Sequence, residues 1–350
     1  MIAGEGSFTV KKKYVFIAIL GMVLFFFVPI VLVMIPFGTD EDKAFLSIRK
    51  GENAAETVEE AAATAEKASE ADAKPMTVPV FRSETETVEK VDLEEYVAGV
   101  VASEMPAEFE MEALKAQALT ARTYVAKQIN SPADINLPDG ALVTDTPMHQ
   151  VFQSQEELRD KWGDDFEWKM EKIHKAVQAT KGQVLTYEGK PITAAFFSTS
   201  NGYTENAEDY WQNPVPYLQS VKSPWDKTSP RYENEQRIPV EEVERLLGVT
   251  IGGGETGEIT ERTEGGRVAA VKLGGKTFHG REVRETLELD SSDFQIGRDG
   301  NNLVFRTKGW GHGVGMSQYG AEGMAKEGKN YKEILHHYYK GVDIANLTNT

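Results

Sequence analysis

Hydrophobic positions are spread unevenly along this chain. From Tyr14 to Phe37 no side chain is charged, a run longer than the ~20 residues a helix needs to cross about 30 Å of hydrocarbon. Lys11, Lys12 and Lys13 precede the run, and Asp40, Glu41 and Asp42 follow it. That asymmetry predicts a cytoplasmic tail over 1–13, a single transmembrane helix over 14–37 and an extracytoplasmic remainder. A cleaved signal peptide is the competing reading and puts the main domain on the same side; the length of the run and the lack of a small-x-small cleavage site argue for retention. Glu52 to Lys74 is almost entirely Ala, Glu, Lys, Thr, Ser and Asp. It has no large apolar face to bury, so 38–75 reads as a flexible or helical stalk that Pro75 closes.

Beyond Pro75 the pattern is that of a packed domain. Val78 and Val80 suggest extended chain. Asp92 followed by Glu95 reads as an N-cap of capping-box type. Leu93, Tyr96, Val97, Val100 and Val101 then form a helical stripe that Pro106 should end by about Met105. A second helix is predicted from about Glu110 to Gln128, with Leu114, Ala118, Ala121 and Val125 on one face. Asn130 to Thr146 reads as loop, and Gln155 to Ala179 as one or two helices with Trp162, Phe166 and Trp168 as anchors. Val184–Tyr187, the Glu188-Gly189-Lys190 turn and Ile192–Phe197 resemble a hairpin. A change of pattern over 236–300 suggests a small α+β subdomain: helices near Pro239–Leu247 and Gly280–Leu287, and a strand over Arg267–Leu273. A strand at Leu303–Thr307 and helices at Met316–Glu327 and Tyr331–Tyr339 follow. No repeat and no long βαβ pattern is present, so the expected class is α+β, with one main domain over 76–341 and a tail over 342–350.

Composition narrows the function. There is no cysteine, so the domain folds without disulfides. The formal charge is −17, which argues against nucleic acid as a partner. No His-Glu-x-x-His is present, and the adjacent His336 and His337 lack the spacing for joint ligation on a helix. No metal and no cofactor is therefore expected.

Three stretches carry candidate chemistry. Glu104 ends a largely apolar helix, where a carboxylate beside apolar groups has a raised pKa and exchanges a proton near neutrality; the plain alternative is a solvated surface glutamate. Arg122 on the second helix is placed to orient it or to bind a sugar oxygen, unless it serves a structural salt bridge. Phe197-Ser198-Thr199-Ser200-Asn201-Gly202 offers hydroxyl and amide groups that suit a glycan, or merely caps a strand. It lacks the G-x-S-x-G elbow of a serine nucleophile. In Gly309-Trp310-Gly311-His312-Gly313-Val314-Gly315, alternate glycines allow a tight loop that presents Trp310 and His312, with a bland structural turn as the other reading.

Taken together, DLEEYVAGVVASEMPAEFEMEALKAQALTARTYV (92–125), FFSTSNGYTE (196–205) and GWGHGVGMSQYGA (309–321) resemble the stage II sporulation protein D family, which is related to the amidase-enhancer proteins of bacterial cell walls. The resemblance implies a lytic transglycosylase that cuts peptidoglycan glycan strands, preferentially ones stripped of stem peptides, leaving 1,6-anhydro-N-acetylmuramic ends during septal thinning and engulfment. It maps the family's essential glutamate onto Glu104. It makes Arg122, Ser198, Ser200, Asn201, His312, Gln318 and Tyr319 substrate-binding candidates. The implied partners are glycan strands, a cell-wall amidase of the sporulation machinery, a membrane scaffold of the engulfment complex and, through 14–37, the lipid bilayer, at the sporulation septum and engulfing membrane. Some relatives carry a cysteine-containing zinc site, which this cysteine-free chain does not match. The alternative is a noncatalytic glycan-binding protein that activates or recruits a cell-wall amidase.

Overall fold

Alternating apolar residues start the described structure, which covers residues 76–131, 137–211 and 213–347 of the computed structural model. Thr77–Arg82 and Thr87–Asp92 pair antiparallel, Thr77 opposite Asp92, and bury Val78 and Val80. The second strand runs directly into the helix Leu93–Glu104. Asp92 caps it by accepting the Glu94 N–H at 2.9 Å and the Glu95 N–H at 3.4 Å. Only this half of the anticipated capping box forms, because Glu95 turns outward and accepts from Gln155 at 2.8 Å. Pro106 disfavours helical backbone at the residue before it, and Met105 is extended, with φ −128° and ψ 136°.

The helix Met111–Asn130 is the axis of the main core. Alanines at 113, 116, 118, 121 and 126 are buried on it, and so many small side chains let neighbouring elements approach closely. Leu93–Glu104 and Phe166–Ala179 pack against it, as do Gln318–Lys326 and Tyr331–Tyr338. A second hydrophobic cluster, including Ile238, Val243, Val271, Leu273, Phe294 and Phe305, sits among two three-stranded sheets. One orders Phe294–Asp299, Asn302–Lys308 and Glu233–Pro239; the other orders Lys276–His279, Val268–Leu273 and Glu258–Arg262.

Several local readings change. Gln183–Tyr187 does turn back into Lys190–Pro191, but Phe196–Phe197 leaves that hairpin and pairs in parallel with Met316–Ser317. Asp343–Asn346, read from the sequence as tail, pairs antiparallel with Gln183–Tyr187. Val143–Thr144, within the expected loop, pairs in parallel with the first strand.

The α+β class holds, whereas the transmembrane helix, the bilayer as partner and the single-pass placement at the septal and engulfing membranes are corrected. Among the described residues no helix is long and apolar enough to cross a membrane. The longest of them, Met111–Asn130, carries Glu112, Lys115, Arg122 and Lys127 and is buried against protein. The segment 14–37 on which that expectation rested lies outside the described residues, as do the tail 1–13 and the stalk 38–75.

Candidate functional site

Glu104 stands at the end of its helix on the wall of a cleft of about 510 Å³. It is half-buried, and its Oε1 accepts the Val151 N–H at 2.8 Å. Burial raises its carboxyl above the ordinary carboxylate range, and the Val151 N–H offsets only part of that. The segment supplying this N–H lies directly on the helix because residue 99 has no side chain. A Cβ on Gly99 would fall 2.5 Å from the Phe152 ring and 2.6 Å from the Gln153 carbonyl oxygen. Phe152 in turn stacks on Tyr96 at 5.3 Å between centroids.

The opposite side is built by joining the second and third motifs. The Thr199 N–H donates to the Trp310 carbonyl at 3.1 Å, and the Trp310 N–H returns to the Thr199 carbonyl at 2.7 Å. The Glu205 N–H donates to the Gly313 carbonyl at 2.8 Å, and the Tyr319 N–H to the Ser198 carbonyl at 3.1 Å. Behind them lies the buried Asp226. Its carboxylate accepts the Ser200 N–H at 2.7 Å, the Ser223 hydroxyl at 2.6 Å and the Ser317 hydroxyl. Ser317 also accepts the Gly320 N–H at 3.3 Å, capping the helix Gln318–Lys326. One carboxylate thus braces the segment carrying Ser198 against the helix start carrying Gln318 and Tyr319.

Of the sequence-predicted residues, Glu104, Ser198, Gln318 and Tyr319 line this one cleft. Arg122, Ser200, Asn201 and His312 do not. Arg122 is fully buried; its Nε donates to Glu94 at 3.0 Å, and its other nitrogens reach the Gln183 and Val177 carbonyls at 3.2 and 3.3 Å. It ties three segments together. Ser200 is buried and donates to the Ser223 carbonyl at 3.0 Å. The Asn201 amide donates to the Gly265 carbonyl and to Asp293, both at 2.9 Å. His312 packs against Phe197, Tyr210 and Trp211 with centroids 5.7, 5.5 and 6.1 Å away, and its Nδ1 accepts the Val314 N–H at 3.0 Å. Burial, reinforced by the charge of Arg284, pushes its pKa down to about 4, so the ring is neutral at neutral pH.

The cleft also holds residues that the sequence reading did not nominate: Trp162 and Lys161, Arg231, and Trp310 itself, which was noted only as part of its loop. The Arg231 guanidinium carbon lies 3.8 Å from the centroid of the Trp310 ring. No motif marks Arg231, which falls in a turn-rich stretch, whereas Trp310 between two glycines was a usable signal. Glu108, a second carboxylate on the cleft, is exposed. Burial alone would raise its carboxyl, but its own backbone N–H and the Lys169 ammonium at 3.2 Å together hold it below the usual range. Glu104 and Glu108 are therefore shifted in opposite directions.

Two glycines of the third motif follow the close approach expected of them. Gly311 and Gly313 have φ of 105° and 89°, and a Cβ on Gly313 would fall 2.3 Å from the guanidinium carbon of the buried Arg267. Arg267 pairs with the equally buried Glu205 at 3.2 Å. Burial lowers the arginine's pKa and raises the glutamate's, so desolvation outweighs their mutual attraction. Among the described residues no cluster of histidine and carboxylate side chains is arranged to hold a metal ion.

A stage II sporulation protein family model matches residues 82–187, the stretch that includes Glu104. Over 324 residues the chain is 48% identical to the stage II sporulation protein D of Bacillus amyloliquefaciens, covering 92% of this chain and 93% of that one. Over 274 residues it is 52% identical to the stage II sporulation protein D of Bacillus subtilis strain 168, covering 78% and 80%. It is also 28% identical over 301 residues to the amidase enhancer of Bacillus subtilis strain 168, covering 70% of this chain and 40% of that protein.

Proposed function

The chain belongs to the stage II sporulation protein D family, and from that premise and the Glu104 cleft we propose that it remodels peptidoglycan in sporulation by cutting glycan strands as a lytic transglycosylase. The observation that carries this reading is the half-buried Glu104, its proton affinity raised, on a cleft shared with two tryptophans and the polar groups of Ser198 and Gln318. Aromatic faces suit the apolar faces of pyranose rings, and a few convergent polar groups suit their hydroxyls and acetamido groups.

The chemistry follows from one carboxyl group used twice. Protonated Glu104 donates to the glycosidic oxygen between N-acetylmuramic acid and N-acetylglucosamine as the bond breaks. The resulting carboxylate takes the proton of the muramic C6 hydroxyl, whose oxygen bonds to C1 of the same sugar and closes the 1,6-anhydro ring. Glu104 ends protonated, ready for the next bond. Because the nucleophile belongs to the substrate, the second carboxylate of a hydrolytic glycosidase is not needed. Glu108, held ionised by Lys169, is the group a hydrolytic variant would use to activate water.

The test is a product assay on glycan strands freed of peptides. Anhydromuramyl ends are expected, and Glu104→Gln should lower the rate by ~10²–10⁴-fold while strands still bind. Products one water heavier would replace transglycosylation by hydrolysis. The likeness to an amidase enhancer supports a second reading, a glycan-binding activator of a cell-wall amidase. Tight binding without cleavage, together with faster amidase turnover, would establish it instead.

A further inference from the structure

Although the chain carries a formal charge of −17, two cations on the Glu104 cleft have no carboxylate partner among the described residues. Arg231 is exposed, its guanidinium carbon over the Trp310 ring, and none of the ion pairs among the described residues includes it. Its turn is fixed from both sides: the Ser229 hydroxyl is 2.8 Å from that of Thr199, and the Gly309 N–H donates to the Tyr232 carbonyl at 2.8 Å. Lys161, beside Trp162, donates to the neutral Gln153 Oε1 at 2.8 Å and is in none of the ion pairs among the described residues. The third cation, Lys169, is matched by Glu108 at 3.2 Å and Asp165 at 3.6 Å. Three cations, Lys161, Lys169 and Arg231, thus face two carboxylates, Glu104 and Glu108, in the cleft lining, so its net charge is positive.

The cleft therefore calls for an anion, and a planar guanidinium held in place favours one with two oxygens in a fork. On a strand of alternating N-acetylglucosamine and N-acetylmuramic acid, the acid on the lactyl ether of the muramic sugar is the one group able to ionise. While a stem peptide is attached, that acid is a neutral amide; once the peptide is cut away it is a carboxylate. Resting on the glycan-cutting reading above, we propose that Arg231 and Lys161 form a carboxylate subsite that reads the bare lactyl group. They thereby let the cleft distinguish stripped from peptide-bearing strands by charge, beyond any steric exclusion of the peptide.

The experiment compares two substrates of the same size and shape with the full-length protein: peptide-free strands, and the same strands with their lactyl acids converted to primary amides. Wild type should favour the acid strands by about five- to tenfold in kcat/KM, carried mainly by KM, as expected of a partly solvated charge-assisted contact. High salt should shrink that preference. In the pair Arg231→Gln with Lys161→Gln the preference should fall to near one. Equal handling of both strands by wild type overturns the subsite, as does a preference that survives in the double variant. If neither strand is cut, the glycan-cutting reading fails on its own. The subsite is then judged by strand binding, where equal affinity for acid and amide strands overturns it and a charge-dependent preference lost in the double variant sustains it.

Discussion

Replacing Gly99 by alanine sets two opposing effects against each other on the helix that carries Glu104. In a helix interior, glycine to alanine gains about 1 kcal/mol of propensity. Against this, the new methyl would stand 2.5 Å from the Phe152 ring and 2.6 Å from the Gln153 carbonyl. Ordinary contact lies near 3.5 Å, so the 150–153 segment must retreat by about 1 Å, and overpacking of that kind costs ~1–3 kcal/mol. A retreat of that size also carries the Val151 N–H, now 2.8 Å from Glu104, beyond hydrogen-bond range, a loss of about 1 kcal/mol. The expected net effect is a destabilisation of about 1–3 kcal/mol by urea unfolding. The pH dependence gives a second readout. Glu104 titrates above its unfolded value, so its contribution to stability is complete at acid pH and is lost as pH rises through the folded pKa. The Val151 N–H favours the charged form, so removing it moves that pKa further up. The variant should therefore lose more stability at pH 7.5 than at pH 4, and the Glu104 limb of the pH–rate profile should shift to higher pH. A variant stabilised by the helix-propensity gain, with its pH limb unmoved, would refute the reasoning.

Three further outcomes rest on groups away from Glu104. Arg267→Met alone strands Glu205 without its cation and should cost about 3–5 kcal/mol; adding Glu205→Leu should recover much of that, and full additivity of the two in unfolding experiments would contradict the assignment. Asp226→Asn turns an acceptor of three donors partly into a donor and should cost about 1–3 kcal/mol. Because Asp226 braces Ser200 and Ser317, the variant should raise KM for glycan strands more than it lowers kcat, and unaltered kinetics would deny it a bracing role. For His312, pushed down to about 4, ring NMR should show no protonation between pH 8 and 6, and its contribution to stability should persist above the unfolded value and fade as pH falls through the folded one; a titration near 6.5 would show that the ring is solvated.

The legible parts of the sequence were those whose neighbours in space are also neighbours in the chain. Asp92 and Pro106 bracket the Glu104 helix to within a residue, since a cap and a prolyl ring act locally. Glu104 itself could be nominated because apolar residues surround it in the chain. The strand Glu233–Pro239 was less readable: its ENEQRIP sequence is exposed at most positions and shows little alternation, since its pairing to Asn302–Lys308 is held by backbone groups. Asn201 and Ser200 looked like glycan ligands because their polar groups are conspicuous in sequence, yet those groups are consumed by Gly265, Asp293, Ser223 and Asp226. Sequence reveals that a side chain has hydrogen-bonding capacity, not whether a distant segment has already used it. Arg122 shows the same limit, with its charge spent on Glu94 inside the core.

The joining of Thr199 to Trp310 and of Ser198 to Tyr319 also sets a timetable. Glu104 depends on partners near it in sequence: Asp92 caps its helix, and Phe152 and the Val151 N–H lie against it. The surface facing it is made from residues 196–198, from Arg231 and from Trp310, Gln318 and Tyr319, and the Glu322 carboxylate reaches back across 212 positions to accept the Glu110 N–H at the start of the central helix. Contacts of such sequence separation form late, after the entropy of closing long loops has been met. A nascent or truncated chain that stops short of Tyr319 thus carries the acid without the groove that would present a strand to it. Whatever Glu104 acts on, the groove beside it is complete only once Tyr319 has been added.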